Sequence, residues 1–267
     1  MTRAVAISNE PNRAVWLKQD PDLERGPVSG FVFSSLDARQ VPTHLHRRAQ
    51  LIHVVRGVSV VTCDQTSWTL PPQRAIWIPS GTPHSVRYPQ TSEMRSLFFD
   101  TARLSDGAPG TVQVYQLDNL SRALLCEAAE LDWGGEPCRV EQLMLDLLFA
   151  RLNGCSDVGH VLPGARDPRL HRVMDYLRDR PGDNSTLDEL AGIGACSRRT
   201  LARLFNEETG MSPALWRRQM RMGLALEMLA AGNPITKIAW DLGYSTTGNF
   251  TVAFKATFGT KPSKYFQ

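Results

Sequence analysis

The last hundred residues carry a divergent internal repeat, and no other feature of the chain constrains its fold as tightly. Leu201, Phe205, Gly210 and Pro213 recur 49 residues later as Phe250, Phe254, Gly259 and Pro262, and Leu190-Ala191 recurs 48 residues later as Ile238-Ala239. Self-similarity of this kind means that one supersecondary unit is used twice. Each copy reads as a short helix, a tight turn and a second helix. The alanine in each copy sits where the two helices cross closely, and a larger side chain would force them apart. Gly210 and Gly259 suit the left-handed residue that closes a helix. Ser212-Pro213 reads as an N-cap followed by the first helical position. Between the copies a long helix is predicted from Pro213 to about Ala231, with Leu215, Met222, Leu226 and Leu229 joining both units into one body.

Helix-turn-helix geometry places the second helix of each unit in the major groove of DNA. In the first unit that helix is predicted over about Ser197–Glu208, with Leu201, Leu204 and Phe205 inside. Arg198, Arg199, Ala202, Arg203 and Asn206 then face outward. Arg199 and Arg203 are four apart and share one edge. Such a pair reads guanine bidentately or holds phosphate; the bland alternative is a solvated basic face. The second unit places its helix over about Thr246–Thr257, with Phe250, Ala253 and Phe254 inside. Thr247, Gly248, Asn249, Thr251, Val252 and Lys255 are left as candidate DNA contacts, suited to shape and methyl readout. Residues 166–267 hold fifteen Lys and Arg against ten Asp and Glu, whereas the rest of the chain holds fifteen against seventeen. A basic C-terminal third fits a polyanionic partner.

The N-terminal part has another period. Residues 27–100 are short β-branched and aromatic stretches cut by Pro and Gly, which predicts a sandwich or small barrel. From Asn119 to Asn153 the period turns helical. Leu120, Leu124 and Leu131 mark one helix, Val140, Leu143, Leu147 and Leu148 a second, with Gly134-Gly135 and Pro137 between them. Residues 153–168, with three Gly and two Pro, read as an interdomain linker. His44 and His46 are two apart on a predicted strand, so both rings point to one face. Gln50 shares their parity, His53 has the opposite one, and a returning strand would bring His84 alongside. Three imidazoles and an amide oxygen could hold a divalent transition metal such as Zn, Ni or Fe. Equally, the histidines could be hydrogen-bonded pocket residues without an ion. His160 and His171 are single and predicted to be solvated. Trp68, Ile76 and Trp77 either line a pocket or pack as core.

Composition narrows the class. The chain has 267 residues, 42% apolar and 21% charged, enough for two globular domains. No run of 18 apolar residues suggests a membrane span, and MTRAVAISNEPNRAVW lacks the apolar stretch of a secretory leader. Five cysteines without a CxxC fit a reducing cytoplasm. Their odd number leaves a redox thiol open beside the plainer reading of idle or buried ones.

Two motif sets carry a family resemblance. The first is Leu190-Ala191, the run Ser197-Arg198-Arg199-Thr200-Leu201-Ala202-Arg203-Leu204-Phe205, and Gly210-Met211-Ser212-Pro213. The second is Ile238-Ala239-Trp240-Asp241-Leu242-Gly243-Tyr244-Ser245, Asn249-Phe250, Ala253-Phe254-Lys255, Phe258-Gly259 and Pro262-Ser263-Lys264-Tyr265. Residues 170–266 thereby resemble the AraC/XylS family of bacterial regulators. His44-Leu45-His46, Gln50, Gly57 and Pro79-Ser80-Gly81-Thr82-Pro83-His84 resemble the cupin-type sensor barrel common in that family.

The resemblance implies an α+β chain: a cupin-like β-barrel with following helices over 1–155, a linker over 156–168, and an all-α domain with two helix-turn-helix units over 169–267. It implies base contacts from Arg199, Ala202, Arg203, Thr247, Gly248, Thr251 and Val252. It also implies a homodimer built through residues 139–152, whose apolar stripe could otherwise simply pack on the barrel. Promoter DNA, a small-molecule or metal effector and RNA polymerase are the expected partners. Gly194-Ala195 replaces a commoner apolar-Gly pair, and Val252 stands where arginine is frequent. In the barrel, Gln50 stands where a glutamate is usual and Tyr88 where an asparagine is frequent. The rival reading is a cupin metalloenzyme with an accessory DNA-binding module. The attached DNA-binding domain favours sensing, and no catalytic residue is assigned.

Overall fold

A computed structural model describes residues 21–24, 26–104, 108–153, 156–157 and 159–266. The N-terminal stretch read for a leader, and Cys155, lie outside these residues. The chain divides into two compact units, residues 1–64 with 70–159, and residues 65–69 with 160–267.

The first unit is two antiparallel sheets and two helices. One sheet contains β1 (Val28–Ser35), β8 (Ser92–Phe99), β3 (Ala49–Arg56), β6 (Arg74–Ile78), β9 (Gln113–Gln116) and β10 (Ser156–Asp157), side by side in that order. In the other, β4 (Ser59–Cys63), β7 (His84–Tyr88) and β2 (Arg39–His44) are neighbours in that order. Strands β4 and β7 alternate strictly between buried and half-buried residues, the period-two signature of a sheet with one wet face. Strand β3 is instead buried along six successive residues. Its outward side chains Ala49 and Leu51 join Ala75, Trp77, Leu97 and Phe99 in a core that also takes in α1 (Asn119–Glu130) and α2 (Arg139–Asn153).

Only a glycine lets α1 approach β1 as it does: a Cβ on Gly30 would lie 2.4 Å from the Ala129 carbonyl oxygen. Trp77 belongs to this outer core, with ring centroids 5.5 Å from Phe99 and 6.1 Å from Phe149, so it does not line the barrel. The helices bury different faces from those the leucine spacing suggested. Ser121, Leu125, Ala128 and Ala129 are inside on α1, while Leu120 is exposed. On α2, Leu145, Leu148 and Leu152 are inside, while Val140, Leu143 and Leu147 stay exposed. Both helices are apolar over more than one face, and a flat sheet can cover only one.

The second unit begins with a strand pair. Residues 66–69 of β5 (Thr66–Leu70) run antiparallel to β11 (His160–Pro163). The stretch read as a linker therefore contains strand. His160 is buried, with its ring 5.5 Å from Phe258, not solvated as expected, whereas His171 is exposed. Glycine is needed opposite it: a Cβ on Gly223 would meet His160 Nε2 at 2.9 Å.

Six helices follow: α3 (Pro168–Asp179), α4 (Leu187–Ile193), α5 (Arg198–Thr209), α6 (Pro213–Ala230), α7 (Ile235–Asp241) and α8 (Thr247–Phe258). The repeat is reproduced down to single hydrogen bonds. Cys196 N donates to Ala191 O at 3.0 Å and Tyr244 N to Ala239 O at 2.9 Å. Ser197 Oγ accepts from Thr200 N, and Thr246 Oγ1 from Asn249 N, both at 3.1 Å. Gly210 and Gly259 close α5 and α8 at φ +67° and +76°. On α6, Met222 and Leu226 are buried as expected, but Leu215 and Leu229 are only half-buried and Trp216 takes the central place. Trp216 Nε1 donates to Pro163 O at 2.7 Å.

The two turns place different residues at their left-handed position. Gly243 has φ +74°, and its counterpart Ala195 has φ +49°. A side chain in this left-handed region costs about 1–2 kcal/mol. Ala195→Gly should therefore raise stability by about 1 kcal/mol, after allowing for the freer unfolded chain. Gly243→Ala should cost more than about 2 kcal/mol, because its Cβ would also lie 2.3 Å from the Gly182 carbonyl oxygen. Urea unfolding midpoints of the two variants check the order; equal midpoints would remove the strain argument.

Candidate functional site

Two sites emerge, one in each unit. The first is the outward side of the second helix in each repeat. On α5, Arg198, Arg199, Arg203 and Asn206 are exposed and Ala202 is half-buried. On α8, Gly248, Asn249, Val252 and Lys255 are exposed, and Thr247 and Thr251 half-buried. The opposite faces hold Leu201, Leu204 and Phe205, and Phe250 and Phe254, in the core, while Ala253 is only half-buried. The arginines differ in their surroundings. Arg203 Nη1 donates to Glu207 Oε2 at 2.5 Å, and Arg198 lies 3.6 Å from Asp188. Arg199 has no acidic partner among the described residues. Arg221 was not singled out in the sequence, yet it is buried on α6. It donates to Pro181 O at 2.8 Å and Asp183 O at 2.7 Å and sits over the Tyr244 ring, so it ties the loop before α4 to the turn of the second repeat.

The second site is the histidine cluster. His44 ends β2 and His84 opens β7, and the two are register partners across that strand pair. His46 lies beyond the end of β2, and Gln50 is on β3. Shared strand parity is therefore not what unites them; the turn between β2 and β3 does. That turn is pinned by the Arg47 and Arg48 amides donating to Asp22 at 2.8–3.2 Å. Gly81 N adds a bond to His46 O at 2.9 Å, and Ser80 Oγ donates to Arg47 O. One ligand atom from each histidine lies within 4.8 Å of the others. Gln50 Oε1 stands 3.2 Å from His46 Nε2 and 3.1 Å from His84 Nε2.

The hydrogen bonds fix the chemistry of these rings. His44, His46 and His84 each direct Nδ1 at a backbone carbonyl, of Pro42, Arg48 and Thr82, at 2.9, 2.5 and 2.9 Å. A carbonyl only accepts, so Nδ1 carries the proton and neutral Nε2 offers a lone pair. The lone pairs of His46 and His84 therefore face the Gln50 oxygen with no proton between them. Gln50 Nε2 is engaged elsewhere, donating to Ser96 Oγ at 2.8 Å. Acceptors gathered this closely suit a cation. An amide turned through 180° would instead donate both its protons to the two rings and satisfy them without an ion. Burial holds His46 below the ordinary imidazole value and His84 down to about 4, which keeps both in the neutral form that ligates. Ser96, which orients Gln50, left no mark in the sequence beyond its place in an alternating strand.

His53 lies on the other face of β3, fully buried, with Nδ1 donating to Arg74 O at 3.1 Å. Burial lowers it to about 4, and the charges of Arg122 and Arg95 push the same way. Of the cysteines, Cys63 is buried and its thiol pushed up to about 12. No helix among the described residues is long and apolar enough to cross a membrane.

Comparison with known proteins finds matches for both units. The helix-turn-helix domain family model matches residues 190–267, and the cupin domain family model residues 36–100. The chain is 30% identical over 247 residues to the HTH-type transcriptional regulator NimR of Escherichia coli strain K12, spanning 92% of this chain and 90% of that protein. It is 32% identical over 99 residues to the RCS-specific HTH-type transcriptional activator RclR of the same strain, 37% of this chain and 35% of that protein. A putative AraC-like transcription regulator of Streptomyces antibioticus is 33% identical over 125 residues, 46% of this chain and 41% of that protein.

The protonation states are testable. Nitrogen-15 spectra of the metal-free protein should show His46 and His84 as Nδ1–H tautomers; Nε2–H signals would remove the lone-pair geometry. His53, neutral in the fold, binds fewer protons than in the unfolded chain between about pH 6.5 and about 4. Stability is thus lost as pH falls through that window. His53→Gln, which can still donate to the Arg74 carbonyl, should flatten the loss in unfolding curves.

Proposed function

The chain belongs to the AraC/XylS family of transcription regulators, with a helix-turn-helix DNA-binding domain and a cupin domain, and from that premise we propose that the barrel senses an effector that governs promoter binding. The observation that carries this reading is the convergence of His44, His46, His84 and Gln50 in a barrel joined to two helix-turn-helix units. Nitrogen-rich neutral donors suit a divalent ion of the Zn, Ni or Fe type. Either that ion is the signal or it holds one. The metalloenzyme reading is weaker: Gln50 supplies no carboxylate base, and the relatives above are named as transcriptional regulators.

On this reading the sensor spans 1–155, the linker 156–168 and the DNA-binding domain 169–267. Arg199, Ala202 and Arg203 on α5, with Thr247, Gly248, Thr251 and Val252 on α8, meet bases. Arg198, Asn206, Asn249 and Lys255 complete the DNA surface. The protein acts in the cytoplasm, with RNA polymerase as a further partner at the promoter.

Elemental analysis of untagged protein, paired with gel shifts on the neighbouring promoter, tests both halves. About one equivalent of metal is expected, lost in His46→Ala together with effector response but not DNA binding. Arg203→Ala should cost about 1–3 kcal/mol of specific binding. Glu207→Ala, which releases Arg203, should strengthen binding. Less than a tenth of an equivalent of metal, before and after incubation with each ion, would leave an organic effector alone. Wild-type binding by both Arg199→Ala and Arg203→Ala would end the base-reading assignment.

We assign the dimer contact to Val140, Leu143 and Leu147 of α2. They are 74%, 57% and 44% exposed, and they recur on one helix face. Leu148 is excluded, since it is buried against the sheet. Leu143→Glu should convert a dimer to a monomer at tens of micromolar in sedimentation without lowering the unfolding midpoint. A sedimentation profile unchanged by the substitution would place the contact elsewhere.

A further inference from the structure

The donor set around the histidine cluster has no formal charge, and that has a chemical consequence if, as proposed above, it holds a divalent ion. Three neutral imidazoles and a carboxamide leave both positive charges of the ion uncompensated. His46, His84 and Gln50 are 6%, 1% and 0% exposed, so water screens little of that charge. An unpaired charge in such a place is strongly disfavoured.

The described residues supply little to offset it. Among the described residues, Asp22 is the carboxylate whose charge acts on His46, and it counts for less there than burial. Its oxygens already accept from the Arg47 and Arg48 amides, and Arg47 Nε lies 3.6 Å away.

We infer that the cluster is a receptor for a small organic carboxylate, taken as an added ligand by the bound ion, and that Gln50 creates this requirement by standing where a charged ligand would cancel it. Of the four residues only His44 is not fully buried. Phe98 packs against His46 with ring centroids 5.1 Å apart at 83°. That apolar wall suits a short carbon chain on the carboxylate better than a bare halide. In this scheme metal and effector act jointly: the protein alone presents four acceptors and repels an anion, and the ion alone is under-neutralised.

The test uses the full chain loaded with cobalt(II), whose visible absorption reports its ligands, titrated with acetate and, as a second anionic probe, azide. A saturable band shift with both is expected in the wild type. Gln50→Glu supplies the missing charge, so it should hold cobalt about tenfold or more tightly against a chelator and bind acetate about tenfold or more weakly. A loaded wild-type spectrum that neither anion moves overturns the inference while leaving the metal reading intact. So does a folded Gln50→Glu that binds acetate as the wild type does. A wild-type chain that takes up no cobalt, zinc or nickel overturns both. Should Gln50→Glu fail to fold by circular dichroism, the wild-type titration decides alone.

Discussion

Strand β3 has no wet face, and the N-terminal unit is arranged around that constraint. Its outward residues Ala49 and Leu51 lie in the core shared with α1 and α2, while Gln50 points the other way, to the histidines. Because successive side chains of a strand point to opposite faces, one strand serves both layers at once. A slip of one residue would exchange Gln50 for an apolar neighbour and drive an amide under the helices. The register of β3 against β6 and β8 therefore fixes the barrel contents and the helix packing together. Gln50 is itself held by Ser96 on β8, so the same strand pairing that builds the sheet orients the one neutral oxygen of the cluster.

The DNA-binding unit depends on a different constraint, the sharp turn between two helices. Each turn needs a left-handed residue just before the N-cap region of the second helix, and each is closed by an amide that donates back to the alanine of the first. The second copy meets the demand with Gly243 and the first with Ala195. Both are left-handed and both turns close with the same hydrogen bond, so the surrounding helices impose the turn on a residue that does not favour it. What the turns achieve is to hold α5 and α8 with their apolar sides inward, leaving short polar and basic side chains outside. Arg221 reinforces this from beneath, where burial is tolerated because carbonyl oxygens of residues 181 and 183 accept its protons.

The two units solve the problem of polar groups in different ways. In the second, the buried Arg221 and Trp216 donate to fixed backbone carbonyls. In the first, the histidine rings direct Nδ1 at backbone carbonyls, and Nε2 of His46 and His84 gather about the Gln50 oxygen. The first arrangement is the basis of the sensing proposed above, and the outward faces of the second unit suit a polyanion.

Much of this was legible in the sequence. The 48–49-residue offset fixed both helix-turn-helix units, their caps and closing glycines, because helix ends have side-chain requirements local to a few residues. The outward faces of α5 and α8 followed from the 3.6-residue period. The alternating strands and the gathering of His44, His46 and His84 were also readable, although His46 arrives through a turn pinned by Asp22 and not through strand parity. Tertiary structure decided what period alone leaves degenerate. Where a helix is apolar on two sides, as α1 and α2 are, only the sheet beneath selects the face that is buried. Likewise only the packing of β11, α6 and α8 makes His160 an interior residue, and only the pairing of β3 with β8 gives Gln50 its partner. These are contacts between residues distant in the chain, and no local pattern encodes which of several chemically acceptable faces the rest of the protein will cover.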